Sequence, residues 1–383
     1  MKINKMYYYD HELEWCLEPI QFSELNLLVG VSGVGKTQIL KSILNLRKIV
    51  RGASLNGVEW EVEFTTKEHS YRWSGAFDTK QIEEFIPEEE SDVPGSRAKK
   101  FKINKELLYK EDELVIERND NEIKFRGNNL PKLSSFKSAI ELLGEEEDII
   151  PVKDGFNKII YSDDRINAIS IDEMFSSFSN KSSLMKYSTL ESIQEGKLSS
   201  QTKLALVYKH KLPIFEEIKQ HFINIFEQVE DIKIEPDEND DDLPSILAEY
   251  PIVKIKEKGV NKWIEQGRIS SGMLRTLMHI SELYLSADGT IILIDEFENS
   301  LGVNCIDILG DLLCESRRLQ FIITSHHPYI INNIDMRHWK IITRKGGVVS
   351  AKNAEDLGLG KSKHEAFMQL INLEEFEEGI FTE

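Results

Sequence analysis

The chain is poor in the features that mark secreted, membrane-spanning and metal-scaffolded proteins. It has 3 cysteines in 383 residues, Cys16, Cys305 and Cys314. An odd number with no CxxC spacing argues against a disulfide framework or a structural zinc site and favours a reducing compartment. No apolar run approaches the roughly 18–20 residues of a membrane-spanning helix. The opening MKINKMYYYDHELEW lacks the basic, apolar and small-residue regions of a signal peptide, so the expected location is the cytoplasm and no membrane partner is expected. Positive charge is also short: 47 Lys and Arg face 66 Asp and Glu, a formal charge of −19. Such a field repels nucleic acid, so any DNA would have to be held by a local patch. A nucleotide remains compatible, because a phosphate cradle acts over a few ångströms through backbone donors and one lysine. No internal repeat is present, and no heptad array is long enough for a coiled coil.

What is present is a core-forming 40% of apolar residues in a chain long enough for two or three structural units. Residues 1–164 read as β-rich around one helix: strands near 3–9 and 25–29, a helix at 36–50, a hairpin from 58–64 and 71–73, and strands at 113–118 and 122–126. Residues 165–228 read as a mostly helical insertion, with helical periodicity over 204–228. Residues 229–383 alternate strands with helices: strand 252–256, helix 273–285, strand 290–294, helix 306–317, strand 320–324, a closing hairpin from 339–343 and 348–352, and a short helix at 365–373. Apolar strands alternating with helices predict a parallel sheet covered on both faces, with ligands at the carboxyl ends of its strands. The acidic runs at 88–90, 145–148 and 236–242 read as solvated turns or helix ends. The last lacks the glycine and distal glutamate of a calcium loop.

Four segments carry chemistry. Gly30-Val31-Ser32-Gly33-Val34-Gly35-Lys36-Thr37 fits G-x-x-x-x-G-K-[ST] between an apolar strand and a helix. Glycines let successive N–H groups turn inward around phosphates, and the helix dipole adds positive charge. The expected nucleotide-contacting set is therefore Gly30, Ser32, Gly33, Val34, Gly35, Lys36, Thr37 and Gln38, with Thr37 also on Mg²⁺. Second, four apolar residues feed Asp295 and Glu296. Strand alternation sends adjacent side chains to opposite sides, so the two carboxylates are given different roles: Asp295 in the Mg²⁺ shell, Glu296 polarising the attacking water. Third, Ile269-Ser270-Ser271-Gly272-Met273 precedes a helix; serine there is ordinarily an N-cap. Fourth, Thr324-Ser325-His326-His327-Pro328 ends an apolar strand. Pro328 restricts His327 to extended geometry, which leaves His326 to donate a hydrogen bond to a γ-phosphate.

The order of these pieces resembles the ATP-binding-cassette ATPases, and within them the branch containing RecF, the SMC proteins and the OLD-family nucleases. The resemblance covers residues 1–64 and 250–345 and is loose between them. It implies an α/β fold: a P-loop ABC-type ATPase head with a β-rich first lobe, a parallel-sheet second lobe and a helical insertion. It also implies that Ser270 and Gly272 form a signature loop reaching the γ-phosphate of ATP held by a second subunit, so that the partner is another copy in an ATP-sandwich homodimer or a higher oligomer. Asn299-Ser300-Leu301 would match the loop that communicates across that dimer. The signature reads ISSGM in place of LSGGQ, and Gly302 stands where transporter cassettes keep an aspartate. The lid-loop glutamine of the family has one candidate, Gln81.

Thr37 and Ser270 lie much further apart than in transporter cassettes, and the residues after His326 hold no nuclease-like metal cluster. Stand-alone ATPases of this branch resemble the ATPase subunits of bacterial anti-phage systems of the PARIS and Septu type, in which a separate effector supplies the toxic or nuclease activity. Two other readings stay open: a RecF-like DNA clamp using the basic stretch Arg97, Lys99, Lys100, Lys102 and Lys105, and a nucleotide-gated scaffold that barely hydrolyses ATP.

Overall fold

The computed structural model describes residues 1–85, 97–162, 186–236, 251–299, 312–313, 318–358, 365 and 368–370. The acidic runs at 88–90 and 237–242, residues 165–185 of the expected insertion, residues 300–302, most of the expected helix 306–317 and most of that at 365–373 lie outside the described residues. The chain forms two compact units. One is Met1–Tyr161, Gly289–Glu296 and Arg318–Glu383; the other is Ser162–Asp288 and Phe297–Arg317.

The strands are β1 (Lys2–Asp10), β2 (Trp15–Gln21), β3 (Leu25–Val29), β4 (Val58–Thr66), β5 (His69–Phe85), β6 (Arg97–Lys110), β7 (Glu113–Arg118), β8 (Ile123–Phe125), β9 (Asn128–Asn129), β10 (Ile159–Ser162), β11 (Val229–Pro236), β12 (Pro251–Glu257), β13 (Trp263–Glu265), β14 (Ile291–Ile294), β15 (Gln320–Ser325), β16 (Trp339–Lys345) and β17 (Val348–Asn353). The first unit is built on one 14-stranded sheet in the order β10-β14-β15-β3-β16-β17-β2-β1-β4-β5-β6-β7-β8-β9. β3, β14 and β15 are buried at every residue, as strands covered on both faces must be, and β14, β15, β3 and β16 pair in parallel. From β2 through β1 to β9 the pairing is antiparallel, and β4 shows the alternating burial of a strand with one covered face. Two parallel residue pairs, Val348–Cys16 and Val349–Leu17, join the halves, so the two lobes expected from sequence share a single sheet.

Helix α1 (Lys36–Val50) buries Ile39, Leu40, Ile43, Leu46 and Val50, a spacing that aligns one apolar stripe. Helix α2 (Ile150–Asn157) places Phe156 among Phe64 and Trp73, with ring centroids 5.3 and 5.4 Å apart.

A buried carboxylate anchors the antiparallel end. Glu106, with no exposed surface, accepts from Trp73 Nε1 at 3.1 Å, Ala139 N at 2.8 Å and Ser138 Oγ, and lies 3.7 Å from Arg118 Nη1. Arg118 also donates to the carbonyls of Lys137 and Ser134. Arg118→Met strips a buried charge of its counter-ion and is expected to cost about 3–5 kcal/mol of stability. Urea unfolding measures it; a loss below about 1 kcal/mol would show that the neutral donors alone hold Glu106.

The second unit contains α3 (Leu190–Glu195), α4 (Ser200–Lys209), α5 (Pro213–Ile225), α6 (Ser271–Leu285) and the small sheet β11-β12-β13. Every residue of α6 from Met273 to Ser281 is buried, so it is the central helix of this unit. Lys203 is 7% exposed and donates to the carbonyls of Gln194 at 2.6 Å and Leu285 at 3.0 Å, placing a cation at the C-terminus of α6, where the helix dipole favours it.

Candidate phosphate-binding site

The loop between β3 and α1 is shaped by two glycines. A Cβ on Gly30 would lie 2.6 Å from the carbonyl oxygen of Ile342 in β16, so the loop leaves the sheet where no side chain fits. Gly35 is the N-cap of α1 at φ 104°, a left-handed geometry that costs other residues roughly 1–2 kcal/mol. A glycine N-cap gives α1 no side-chain cap, and the first turn carries no acidic residue. Its leading N–H groups therefore point into the loop, the arrangement that binds anions. Lys36 Nζ folds back over the loop, donating to the carbonyls of Gly30 at 2.6 Å and Val31 at 3.0 Å.

Beyond the loop, three hydroxyls converge on one carboxylate. Asp295 Oδ1 accepts from Thr324 Oγ1 at 2.6 Å and Thr37 Oγ1 at 3.1 Å, and Oδ2 lies 3.4 Å from the Tyr161 hydroxyl. Glu296 follows at φ 46°. Its N–H donates to Thr324 Oγ1 at 2.8 Å, which holds this strained backbone in place. Alternation predicted Asp295 and Glu296 on opposite sides; both line one cleft. The reason is local: β14 ends at Ile294, and the left-handed turn at Glu296 breaks the period of two.

That cleft has a volume of about 420 Å³, within the range of small-ligand sites. Of the residues singled out in the sequence, Ser32, Gly33, Gly35, Lys36, Thr37, Gln38, Asp295, Glu296 and His326 line it. Gly30 packs on β16 instead, and Val34 is 4% exposed in the apolar core. His327 is occupied as the N-cap of α7 (Pro328–Asn333), its Nδ1 accepting from Tyr329 N at 3.2 Å. Gln81 lies in β5 opposite Phe101, with β16, β17, β2, β1 and β4 between its strand and β3.

Sequence reasoning missed Thr324 as a site residue, along with the rim residues Leu13, Trp15, Lys41 and Arg344. Lys41 was readable, being one helical turn past Thr37 on α1; the others reach the cleft from β15 and two hairpins, and only pairing between distant segments brings them there. The indole N–H of Trp15 is buried with no hydrogen-bond partner among the described residues.

Thr37 and Asp295 offer hard oxygens beside the loop, the donor set of a Mg²⁺ that is otherwise held by water and ligand phosphates. Among the described residues no group of three or more His, Cys, Asp or Glu forms a protein-only metal cage. The residues therefore fit a metal that arrives with a nucleotide.

The serine-glycine segment belongs to the second unit. Ser270 is the N-cap of α6, its side chain accepting from Met273 N at 3.2 Å, and Ser270 and Ser271 are both exposed. One turn on, Arg275 Nη1 donates to the carbonyl of Asn299 at 2.6 Å. α6 thus holds the segment that follows the Asp-Glu pair in sequence.

The family described as "AAA domain, putative AbiEii toxin, Type IV TA system" matches the chain over residues 25–332, from β3 through the loop, the signature and the Asp-Glu pair to His326. The chain belongs to that AAA family. Its fold is also that of a solved SMC head bound to the C-winged helix domain of ScpA, at TM-score 0.50 and 14% identity over 92% of this chain and 97% of that one. An SMC head domain from Thermotoga maritima gives 0.42 at 13% identity, over 92% and 99% of the two chains. An Smc head from Pyrococcus furiosus, with an extended coiled coil and bound to the C-terminal domain of ScpA, gives 0.44 at 13%, over 93% and 98%. At 14% identity the first likeness speaks to fold alone, the mixed α/β fold of an SMC head. No curated protein matches this AAA chain. Among the described residues no helix is long and apolar enough to cross a membrane.

Proposed function

We propose that the protein is an ATP-hydrolysing switch that works as two copies and controls a separate effector in bacterial anti-phage defence. The observation that carries this reading is the gathering of Lys36, Thr37, Asp295, Glu296 and His326 on one cleft at the end of a glycine-bounded loop. Lys36 places a point charge on the β- and γ-phosphates. Thr37 and Asp295 hold Mg²⁺, which supplies charge neutralisation across the phosphates when bound. Glu296, exposed in the cleft, accepts the proton of the attacking water, and His326 donates to the γ-phosphate. Ser270 and Gly272 of a second copy complete the site; the exposure of Ser270 at the N-terminus of a 15-residue helix supports that role. ATP binding closes the pair and hydrolysis opens it.

The defence setting is supported by the family's description in terms of a toxin–antitoxin system, and a net charge of −19 disfavours DNA as the ligand. Sedimentation with a non-hydrolysable ATP analogue is expected to move the chain from one copy to two; an unmoved boundary at saturating nucleotide contradicts the paired site. A small nuclease or toxin encoded beside this chain would support the effector role, and co-expression with it is the direct assay.

Thr324→Val keeps side-chain shape but removes the hydroxyl that donates to Asp295 and accepts from Glu296. Turnover is expected to fall about 10–100-fold, the usual effect of losing an outer support of a metal site. The accompanying stability loss is about 1–3 kcal/mol. Turnover within a factor of about two of wild type would remove Thr324 from the account.

A further inference from the structure

The strand bordering β14 brings a third hydroxyl to Asp295 that no sequence motif announced. Thr37 reaches Asp295 from α1 and Thr324 from β15, both at Oδ1. Tyr161 arrives from β10 and faces the other oxygen, Oδ2, at 3.4 Å. The hydroxyl donates to Oδ2 at the long end of the O–H···O range. Its position is set by the same helix that carries the phosphate loop. Arg47, on α1, donates from Nη1 to the carbonyl of Ile159 at the start of β10. Tyr161 follows two residues later on the same strand, so this backbone bond ties its stretch of β10 to α1. α1 thus carries Thr37 and is bonded to the strand that carries Tyr161.

We propose that Tyr161 is a positioning residue for the Mg²⁺–nucleotide complex: its hydroxyl holds Oδ2 of Asp295 so that the carboxylate cannot rotate away from the metal it shares with Thr37. Rotation about Cβ–Cγ carries both oxygens, so the threonine donors on Oδ1 already oppose it; a donor on Oδ2 adds a third restraint, from a different strand. The inference rests on the Mg²⁺–ATP reading of this cleft and adds to it the residue that orients the metal's protein ligand.

Tyr161→Phe deletes one oxygen and keeps the ring. The test is Mn²⁺ binding, followed by electron paramagnetic resonance in the presence of a non-hydrolysable ATP analogue, for the wild-type and variant full-length chains. Loss of an outer support of a metal ligand weakens metal affinity about 10–100-fold, and the Mn²⁺ dissociation constant is expected to rise by that factor. Affinity for the analogue without metal is expected to be unchanged, since Lys36 and the loop are intact; this also reports that the variant is folded. Wild-type uptake of Mn²⁺ with an unchanged constant in Tyr161→Phe overturns the positioning role alone. A wild-type chain that takes up no Mn²⁺ beside nucleotide overturns the metal reading and this inference together.

Discussion

Glu296→Gln is expected to lower ATP turnover by about 10²–10⁴-fold, the usual contribution of a general base. ATP binding should persist and paired chains should accumulate. The two side chains are nearly isosteric, and the N–H of residue 296 donates to Thr324 Oγ1 whichever is present. The left-handed backbone at φ 46° is as costly to Gln as to Glu, so stability is expected to hold. On the proposed reading, what disappears is the acceptor for the proton of water. In the proposed cycle opening follows hydrolysis, so the variant is expected to stay paired with ATP, visible as a nucleotide-dependent doubling of mass. Wild-type turnover in this variant would assign the base elsewhere in the cleft.

Ser270→Arg is expected to reduce turnover by a comparable factor, on the order of 10²-fold or more, although the substituted chain keeps its own loop, lysine and carboxylates. Removing the N-cap costs about 1 kcal/mol, and a cation at a helix N-terminus adds a few tenths more, so the chain remains folded. The defect lies in what this chain presents to its partner. Lys36→Ala fails for the opposite reason, since it presents a sound serine cap and holds no ATP. Mixed in equal amounts, the two inactive variants form pairs in which one site joins the intact loop of the first to the intact cap of the second. For a two-fold pair with independent sites, about a quarter of wild-type activity is expected to return. A mixture as inactive as its components would contradict a site shared between copies.

Local pattern explains what was legible. The expected helix at 36–50 coincides with α1, since strand, glycine-bounded turn and apolar stripe are all encoded within neighbouring residues. The same holds for the hairpin β16–β17 and for α6, which begins at Ser271, just after its N-cap. Three features escaped because they depend on distant segments. The joining of β17 to β2 rests on two residue pairs more than 300 positions apart, so one continuous sheet looked like two lobes. Tyr161 belongs to none of the sequence motifs, and it meets Asp295 because β10 lies beside β14. The placement of Glu296 in the cleft depends on a left-handed backbone that its residue type does not advertise, and on Thr324, which meets it from another strand.

That Lys36, Glu296 and His326 would come together was readable from motif and flanks, whereas the support around them was not. Val34 shows the limit in the other direction: it sits inside the phosphate-loop pattern, yet its side chain belongs to the core of the first unit. A motif specifies where the backbone goes, and neighbouring strands decide which of its side chains face the ligand.

The most direct test of the account is ATP turnover per chain measured across a range of protein concentrations at saturating Mg²⁺–ATP. A site completed by Ser270 of a second copy predicts that specific activity falls toward zero as pairs dissociate on dilution and is restored when chains are concentrated. Specific activity that stays constant to the lowest concentration, where light scattering shows single copies, would contradict it.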